Sequence, residues 1–120
     1  MKVLITGANG DIAISIFELL KREFKKLKIF GSDLTNGYGS LYFRKIFLLP
    51  HANSKSYLKN SKALFKKFDL IVPTTEAEIS FIANNKEKYE NILFLINNKK
   101  IVNLFFDKLK KFEFLKKKKL

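Results

Sequence analysis

The chain has 120 residues and a formal net charge of +13, from 24 Lys or Arg against 11 Asp or Glu. This length suits one domain with one hydrophobic core, and a hydrophobic fraction of 47% is typical of folded rather than disordered proteins. The sequence contains no Cys and one His, which excludes disulfides, thiolate metal sites and metal sites built from several histidines.

Strand and helix patterns alternate along the chain. Short aliphatic runs predict strands at residues 2–6, 28–33, 45–49, 69–73 and 92–96. Apolar residues at helical spacing predict helices at residues 11–26, 54–68, 75–89 and 101–115. The apolar stripe of the first predicted helix consists of Ile12, Ile16, Leu19, Leu20 and Phe24. This alternation predicts a three-layer α/β fold, with a parallel sheet covered by helices on both faces.

The first turn carries the sharpest motif, TGANGDIA at residues 6–13, between the first strand and the first helix. Glycines here permit a tight turn and let backbone N–H groups approach a phosphate or carboxylate at the helix N-terminus. The candidate ligand-binding residues of this turn are Gly7, Ala8, Asn9, Gly10 and Asp11. Ala13 stands where the dinucleotide fingerprint prefers a third glycine. The alternative is a structural turn, because any doubly wound fold needs glycine here.

The end of the second strand carries Asp33. An acid at this point of a dinucleotide-binding domain binds ribose hydroxyls, and its distance from the glycine turn is close to the expected spacing of roughly 20 residues. The alternative is that Asp33 caps the loop that follows it. The residues alone do not choose between these roles.

The segment PTTEAE, residues 73–78, lies at the carboxyl end of a predicted buried strand, where ligands gather in open α/β sheets. Thr74 and Glu76 are therefore candidate substrate-binding residues, with Glu76 suited to a cationic or amino group. Thr75 and Glu78 match the Thr-x-x-Glu capping box, so capping is the favoured role of Glu78. Glu76 has no such structural explanation.

Four stretches together resemble the N-terminal domain of ATP-grasp ligases, especially those similar to the large subunit of carbamoyl phosphate synthetase. They are VLITGANGDIAISI, IFGSDL, LLP with the later DLIVPTTEAEI, and NLFFDKLKKFEFLK. The resemblance implies that residues 1–120 form a single Rossmann-like domain, a fragment of a longer enzyme that binds ATP and magnesium. Such an enzyme activates a carboxylate as an acyl phosphate, which an amine or another nucleophile attacks.

The resemblance also sets expectations for cofactors and partners. The groups that hold ATP and magnesium in that family match no residue of this sequence, so no catalytic or metal-binding residue is assigned and no cofactor is expected on this chain alone. The expected partners are the missing ATP-grasp domains and a small-molecule carboxylate or amine substrate. An apolar face left uncovered would favour a homodimer.

The charge and the apolar runs bear on localisation. The Lys residues are scattered and accompany abundant Asn, Ile and Phe, as AT-rich coding DNA would produce, so no nucleic-acid partner is expected. The densest cluster, residues 108–119, holds seven Lys and one Glu, and a solvated helix face is the expected structure. No apolar run approaches the roughly 20 residues that span a bilayer, and the N-terminus does not resemble a signal peptide. We therefore expect a cytoplasmic protein without a membrane partner.

Two alternative functions stay open. The first is the nicotinamide-dinucleotide-binding domain of a short-chain-type reductase, because TGANGDIA is similar to the glycine motif of that family. Against it, no Tyr in the sequence is followed four residues later by Lys, the catalytic pair of that family. The second is a basic, non-enzymatic module for nucleic acid or an acidic partner, whose binding would weaken strongly with salt.

Overall fold

The structure, a computed structural model, describes residues 1–96 of the chain. Its strands and α-helices in chain order are β1 (Lys2–Thr6), α1 (Asp11–Glu23), β2 (Lys28–Asp33), β3 (Ile46–Leu48), α2 (Tyr57–Phe65), β4 (Leu70–Val72) and α3 (Glu76–Asn84). Short 3-10 turns occupy Tyr38–Leu41 and Lys86–Lys88. The helix predicted at residues 101–115 lies outside the described residues.

The four strands form a parallel sheet in the order β3-β2-β1-β4. Ile5 of β1 lies opposite Gly31 of β2 on one side and Val72 of β4 on the other. The chain therefore leaves β1 in one direction for β2 and β3, and returns to its other side for β4. In open α/β sheets such a reversal opens a crevice at the carboxyl ends of the strands, where ligands bind.

The core has two layers, one on each face of the sheet. Val3 and Ile5 of β1 face the layer that contains α1, whereas Leu4 between them faces the layer that contains α2 and α3. This alternation follows from the two-residue period of a strand. Full burial of one such side chain stabilises the folded state by about 1.5–3 kcal/mol. The predicted three-layer α/β fold, with helices on both faces of a parallel sheet, is confirmed.

The buried face of α1 matches the predicted stripe only in part: Leu20 and Phe24 are buried, and Ile16 packs against the core. Ile12 is 53% exposed. The buried side chains of the helix are Ala13, Ile14, Phe17 and Leu20. Both stripes have helical spacing, so the pattern alone could not decide which one meets the sheet. The helix also ends earlier than predicted, at Glu23, where the backbone N–H of Phe24 donates to the Leu20 carbonyl at 2.8 Å.

The predicted fifth strand is reduced to a single parallel bridge between Ile71 and Phe94. The Ile71 N–H donates to the Leu93 carbonyl at 2.9 Å, and the Leu95 N–H donates to the Ile71 carbonyl at 2.8 Å. Because β4 has only three residues, it presents a short edge for pairing. Within residues 1–96, none of the helices has the length and apolarity required to cross a bilayer.

Candidate functional site

The glycine turn after β1 has a backbone that requires glycine at its first position. Gly7 has φ +63°, a left-handed conformation that side chains rarely adopt. A Cβ on Gly7 would lie 2.5 Å from Thr74 Oγ1 and 2.8 Å from Thr75 Cγ2, so the turn also packs closely against the loop after β4. Gly10 is the N-cap of α1, and its N–H donates to the Gly7 carbonyl at 2.9 Å. The turn thus places the free N–H groups of α1 at the carboxyl edge of the sheet.

Two of the predicted binding residues of this turn differ sharply in accessibility. Ala8 is fully buried, and its side chain lies where a Cβ on Gly31 would come within 2.6 Å. Its N–H donates to the Ser32 carbonyl at 3.1 Å, so Ala8 shapes the turn and presents no surface to a ligand. Asp11 is exposed in the first turn of α1, where a negative charge stabilises the helix by interaction with its dipole. That charge also opposes an anionic ligand at the same helix end.

Asn9 joins the glycine turn to the loop after β2. Its Nδ2 donates to the Thr35 carbonyl at 3.0 Å, and its Oδ1 accepts from the Gly39 N–H at 2.9 Å. A Cβ on Gly37 would lie 2.9 Å from the Asn9 Cγ, so the second loop also needs glycine for this approach. We call the contacts of Asn9 with Asp33, Thr35, Gly37 and Gly39 the Asn9 clasp. The clasp makes the two loops one packed unit.

Asp33 lies at the end of β2 within the same unit. Its Oδ2 accepts from the Asn9 N–H at 2.9 Å, and its Oδ1 accepts from the Leu34 N–H at 2.7 Å. The carboxylate therefore caps the local backbone. Each carboxylate oxygen can accept more than one hydrogen bond, so ribose hydroxyls could still bind to it. The two roles left open by the sequence are compatible.

Thr74 links the ends of β1 and β4 beneath Gly7. Its hydroxyl donates to the Thr6 carbonyl at 2.7 Å, and its N–H donates to Thr6 Oγ1 at 3.2 Å. Thr6 is fully buried. The hydroxyl proton of Thr74 is thus used within the protein, and the side chain positions the floor of the crevice.

The capping prediction for Glu78 is confirmed. Thr75 is the N-cap of α3, and its Oγ1 accepts from the Glu78 N–H at 3.2 Å and donates to Glu78 Oε1 at 2.9 Å. The other carboxylate oxygen accepts from the Tyr57 hydroxyl at 2.6 Å. Burial, followed by the charge of Glu78, raises the pKa of Tyr57 well above its usual range, so this hydroxyl stays a donor.

Glu76 stands apart from these contacts. It is exposed in the first turn of α3, and within residues 1–96 it makes no hydrogen bond or ion pair with another residue. A carboxylate in this position stabilises the helix N-terminus. No contact among the described residues brings Glu76 to the glycine turn.

A recess of about 230 Å³ opens beside this unit, on the sheet face that carries α2 and α3. Its walls include the apolar residues Leu34, Leu49, Pro50 and Ala52 together with Ser32, Asp33, His51, Thr75 and Glu78. Ser32 is fully buried, and its Oγ has no hydrogen-bond partner among the described residues. Ser32 had no predicted role, although a hydroxyl between Gly31 and the strand-end Asp33 was a usable signal.

His51 lines the same recess and had no predicted role. Its Nδ1 accepts from the Asn53 N–H at 3.1 Å. Among residues 1–96, no group of three or more His, Asp or Glu side chains is placed to hold a metal ion. The recess therefore offers hydroxyl, imidazole and carboxylate groups above an apolar wall.

Two solved structures have a similar fold. One is the yeast methylglyoxal/isovaleraldehyde reductase Gre2 complexed with NADPH, with a TM-score of 0.56 and 19% identity over 80% of this chain and 36% of that chain. The other is a short chain dehydrogenase family protein from Francisella tularensis subsp. tularensis SCHU S4, with a TM-score of 0.53 and 16% identity over 81% of this chain and 50% of that chain. No family model and no curated protein matches the sequence.

The likeness supports the Rossmann-like α/β fold, and the chain spans about a third to a half of the length of these two proteins. It also corrects the ATP-grasp interpretation, because these two structures are a reductase and a short chain dehydrogenase family protein rather than ligases. The expectation of ATP and magnesium is wrong for the same reason: the neighbour with a bound nucleotide holds NADPH. The glycine turn, the strand-end acid and the capped helix that carried the resemblance are features that many Rossmann-like sheets need. The fourth stretch, residues 103–116, lies outside the described residues.

Proposed function

We propose that this chain binds a nicotinamide dinucleotide, as the cofactor-binding domain of a reductase of the short-chain type. The observation that carries the proposal is the glycine turn at the point where the strand order reverses, hydrogen-bonded through Asn9 to Asp33. Phosphates bind at this kind of helix N-terminus, and an acid at the end of the second strand accepts ribose hydroxyls. The similarity to a reductase complexed with NADPH supports the same ligand class.

The recess beside Asp33 suits the adenine end of such a ligand. Leu34, Leu49 and Ala52 provide apolar wall, and the unpaired Ser32 hydroxyl could donate to or accept from the base. Binding of a ligand polar atom there would satisfy a buried hydroxyl that otherwise lacks a partner. The recess and the glycine turn share Asp33, so one extended ligand reaches both.

Asp33 also indicates which nicotinamide dinucleotide is preferred. Its carboxylate would face the adenosine ribose, where NADPH carries a 2′-phosphate, and no Lys or Arg lines the recess to offset that charge. An acid at this position favours the unphosphorylated ribose, whereas a nearby Arg accommodates the 2′-phosphate. We therefore propose NADH as the preferred ligand, in contrast to the NADPH held by the yeast reductase.

When bound, the nicotinamide ring supplies the hydride; the residues of this chain hold and orient the dinucleotide. No proton donor is assigned, because no Tyr of the sequence is followed four residues later by Lys.

We further propose that residues 1–120 form one domain and that the protein works in the cytoplasm, in keeping with the absence of Cys.

A thermal-shift titration of the purified chain with NADH, NADPH and Mg-ATP at one salt concentration tests the proposal. A ligand that binds only the folded state stabilises it by about 2.7 kcal/mol at 100 times its dissociation constant. We expect the largest rise in melting temperature with NADH, a smaller one with NADPH and none with Mg-ATP. The absence of a shift with both nicotinamide dinucleotides would rule the proposed function out.

The variant Asp33→Asn tests the cofactor preference. In the wild type we expect NADPH to have the larger dissociation constant. Loss of the negative charge should lower the ratio of the NADPH to the NADH dissociation constant by about tenfold, equivalent to roughly 1.4 kcal/mol. The amide also places an NH2 group against a backbone N–H, so the melting temperature without ligand is measured first. Asp69→Asn is the matched control, because Asp69 also accepts from a backbone N–H, that of Lys2 at 2.7 Å, but lies at the opposite edge of the sheet. An unchanged ratio in Asp33→Asn would contradict the role of Asp33.

A further inference from the structure

A second recess, of about 550 Å³, lies at the opposite edge of the sheet from the glycine turn. Five cationic side chains line it: Lys21, Lys25, Lys26, Lys28 and Arg44. Apolar surface between them comes from Phe17, Leu27, Ile29 and Tyr42. We call this recess the cationic groove. Because Lys28 begins β2 and Arg44 shortly precedes β3, the groove lies at the amino edge of the sheet, on the face covered by α1.

No ion pair within residues 1–96 neutralises the positive charge of the groove; Glu18 lies close enough to Tyr42 to act on it electrostatically. All five cations are exposed, and no carboxylate lines the recess. Within residues 1–96 the structure shows one ion pair, between Arg22 and Glu23 at 4.0 Å, and it includes none of the five. The Lys21 ammonium lies 5.5 Å from the Phe17 ring centroid. AT-rich coding explains why Lys is frequent, but it does not explain five cations around one recess without a carboxylate.

The charge decides what kind of partner fits. Like charges gathered around a recess raise the local concentration of anions and repel cations. The basic segment at residues 108–119, with seven Lys and one Glu, is therefore a poor occupant, and so is a second copy of a chain with net charge +13. A lipid headgroup layer is flat on this scale, whereas the cations surround a recess. An anionic polymer narrow enough to enter the recess fits cations that are spread around its whole rim.

The apolar floor favours a polynucleotide over an acidic polypeptide. The Tyr42 ring is partly exposed at the recess, with the exposed Tyr38 ring beside it at a centroid distance of 6.1 Å. Unpaired bases stack on such rings, and the stacking tolerates any base sequence. A duplex would hide its bases, and a chain of carboxylates has none. We propose that the cationic groove binds a single-stranded polynucleotide, with its phosphates on the five cations and its bases against Tyr42.

Fluorescence anisotropy of a labelled oligothymidylate tests whether the groove binds single strands. A length of about 12 nucleotides lies within the site sizes of known single-strand binders. Five phosphate contacts predict a plot of log affinity against log salt with a slope no steeper than about −3.5. The variant Lys25→Glu with Arg44→Glu should lose at least about tenfold in affinity, because two phosphate contacts become repulsive. The control, Lys59→Glu with Lys66→Glu, makes the same change in net charge on exposed residues of the α2 side, and should change affinity less than about twofold.

Several outcomes would overturn the proposal. Equal losses in the groove variant and the control would mean that net charge alone attracts the oligonucleotide. Displacement by polyglutamate as effective as by unlabelled oligothymidylate would identify an acidic polypeptide as the partner instead. Equal affinity for a duplex and for the single strand would show that the bases do not contribute to binding. The melting temperature and the NADH shift of the groove variant are measured in parallel, so a folding defect or a failure of the dinucleotide proposal is recognised separately.

Discussion

The two edges of the sheet are built in opposite ways. At the carboxyl edge, glycines and short polar side chains pack within hydrogen-bond distance of one another, as the Asn9 clasp shows. At the amino edge, long cationic side chains surround a larger recess and form no ion pairs within residues 1–96. A rigid, hydrogen-bonded loop unit can hold one small ligand in a defined pose without the entropy cost of ordering it. Exposed cationic side chains instead attract an anionic polymer through an electrostatic field that salt screens.

The largest effect on stability is expected where the carboxyl edge has no free space. In Gly39→Ala the new Cβ would contact the carbonyl oxygen of Ala8 and lie 2.7 Å from its carbon, and backbone atoms cannot rotate away. Overpacking of this kind costs typically about 1–3 kcal/mol, and we expect the upper end. Urea unfolding measures the loss. The control Asn36→Ala, an exposed residue of the same loop, should stay within about 0.5 kcal/mol. Equal stability of the two variants would show that the loops are not closely packed.

The next largest effect concerns the hydrogen bond between Tyr57 and Glu78. Tyr57→Phe removes a buried donor at 2.6 Å from a carboxylate. Hydrogen bonds to charged groups contribute about 1.5–3 kcal/mol, so we expect a loss of about 2 kcal/mol. Tyr38→Phe, at a side chain that is 61% exposed, serves as the control and should be close to neutral.

The hydrogen-bonded pair of Tyr57 and Glu78 also makes the free energy of unfolding depend on pH in the alkaline range. Burial raises the pKa of the Tyr57 hydroxyl above its unfolded value of 10.0. The protonated form is therefore the one that the folded state favours. The contribution of this pKa shift to the free energy of unfolding is fully present below pH 10 and is lost as the pH rises above that value. Urea unfolding at a series of pH values above 10 should show a steeper decline in the wild type than in Tyr57→Phe; parallel declines would contradict the shift.

A smaller loss of stability, with a larger functional consequence, is expected at the clasp. Asn9→Ala removes two side-chain hydrogen bonds, to Thr35 and Gly39, at a partly exposed site. We expect a loss of about 1–2 kcal/mol in unfolding free energy and a weaker NADH-induced rise in melting temperature. The oligothymidylate affinity of the amino edge should stay unchanged. A change at both edges would show that they are not independent.

The smallest effect on stability should have the opposite sign. In Ser32→Ala an unpaired buried hydroxyl is removed, which avoids the cost of burying a polar group without a partner. Without ligand we expect stability to be unchanged or higher by up to about 1 kcal/mol. If the dinucleotide uses this hydroxyl, NADH affinity should fall while stability does not. Loss of stability without ligand would indicate a partner for Ser32 that residues 1–96 do not provide.

Features governed by local sequence were predicted well. The boundaries of β1 and β2 agree with the prediction, because each strand is a short apolar run followed by glycine or a turn. The Thr75–Glu78 cap was also predicted, since its two residues are neighbours on one helical turn. The buried face of α1 was predicted only in part. Leu20 is buried as expected, but Ile12 is exposed and Ala13 is buried, because only contact with the sheet separates two adjacent stripes. The function of the chain was misassigned for a related reason: motifs shared by many Rossmann-like sheets do not identify one enzyme class.

By itself the sequence determined the alternation of strands and helices and the glycines and acid at the strand ends, because these depend on residues close together in the chain. Only the tertiary structure decided what those residues contact. The clasp between Asn9 and Gly39, the unpaired hydroxyl of Ser32 and the five cations around one recess each join residues that are far apart in sequence. The order and register of the parallel strands bring such residues together, and these follow from packing on both faces of the sheet.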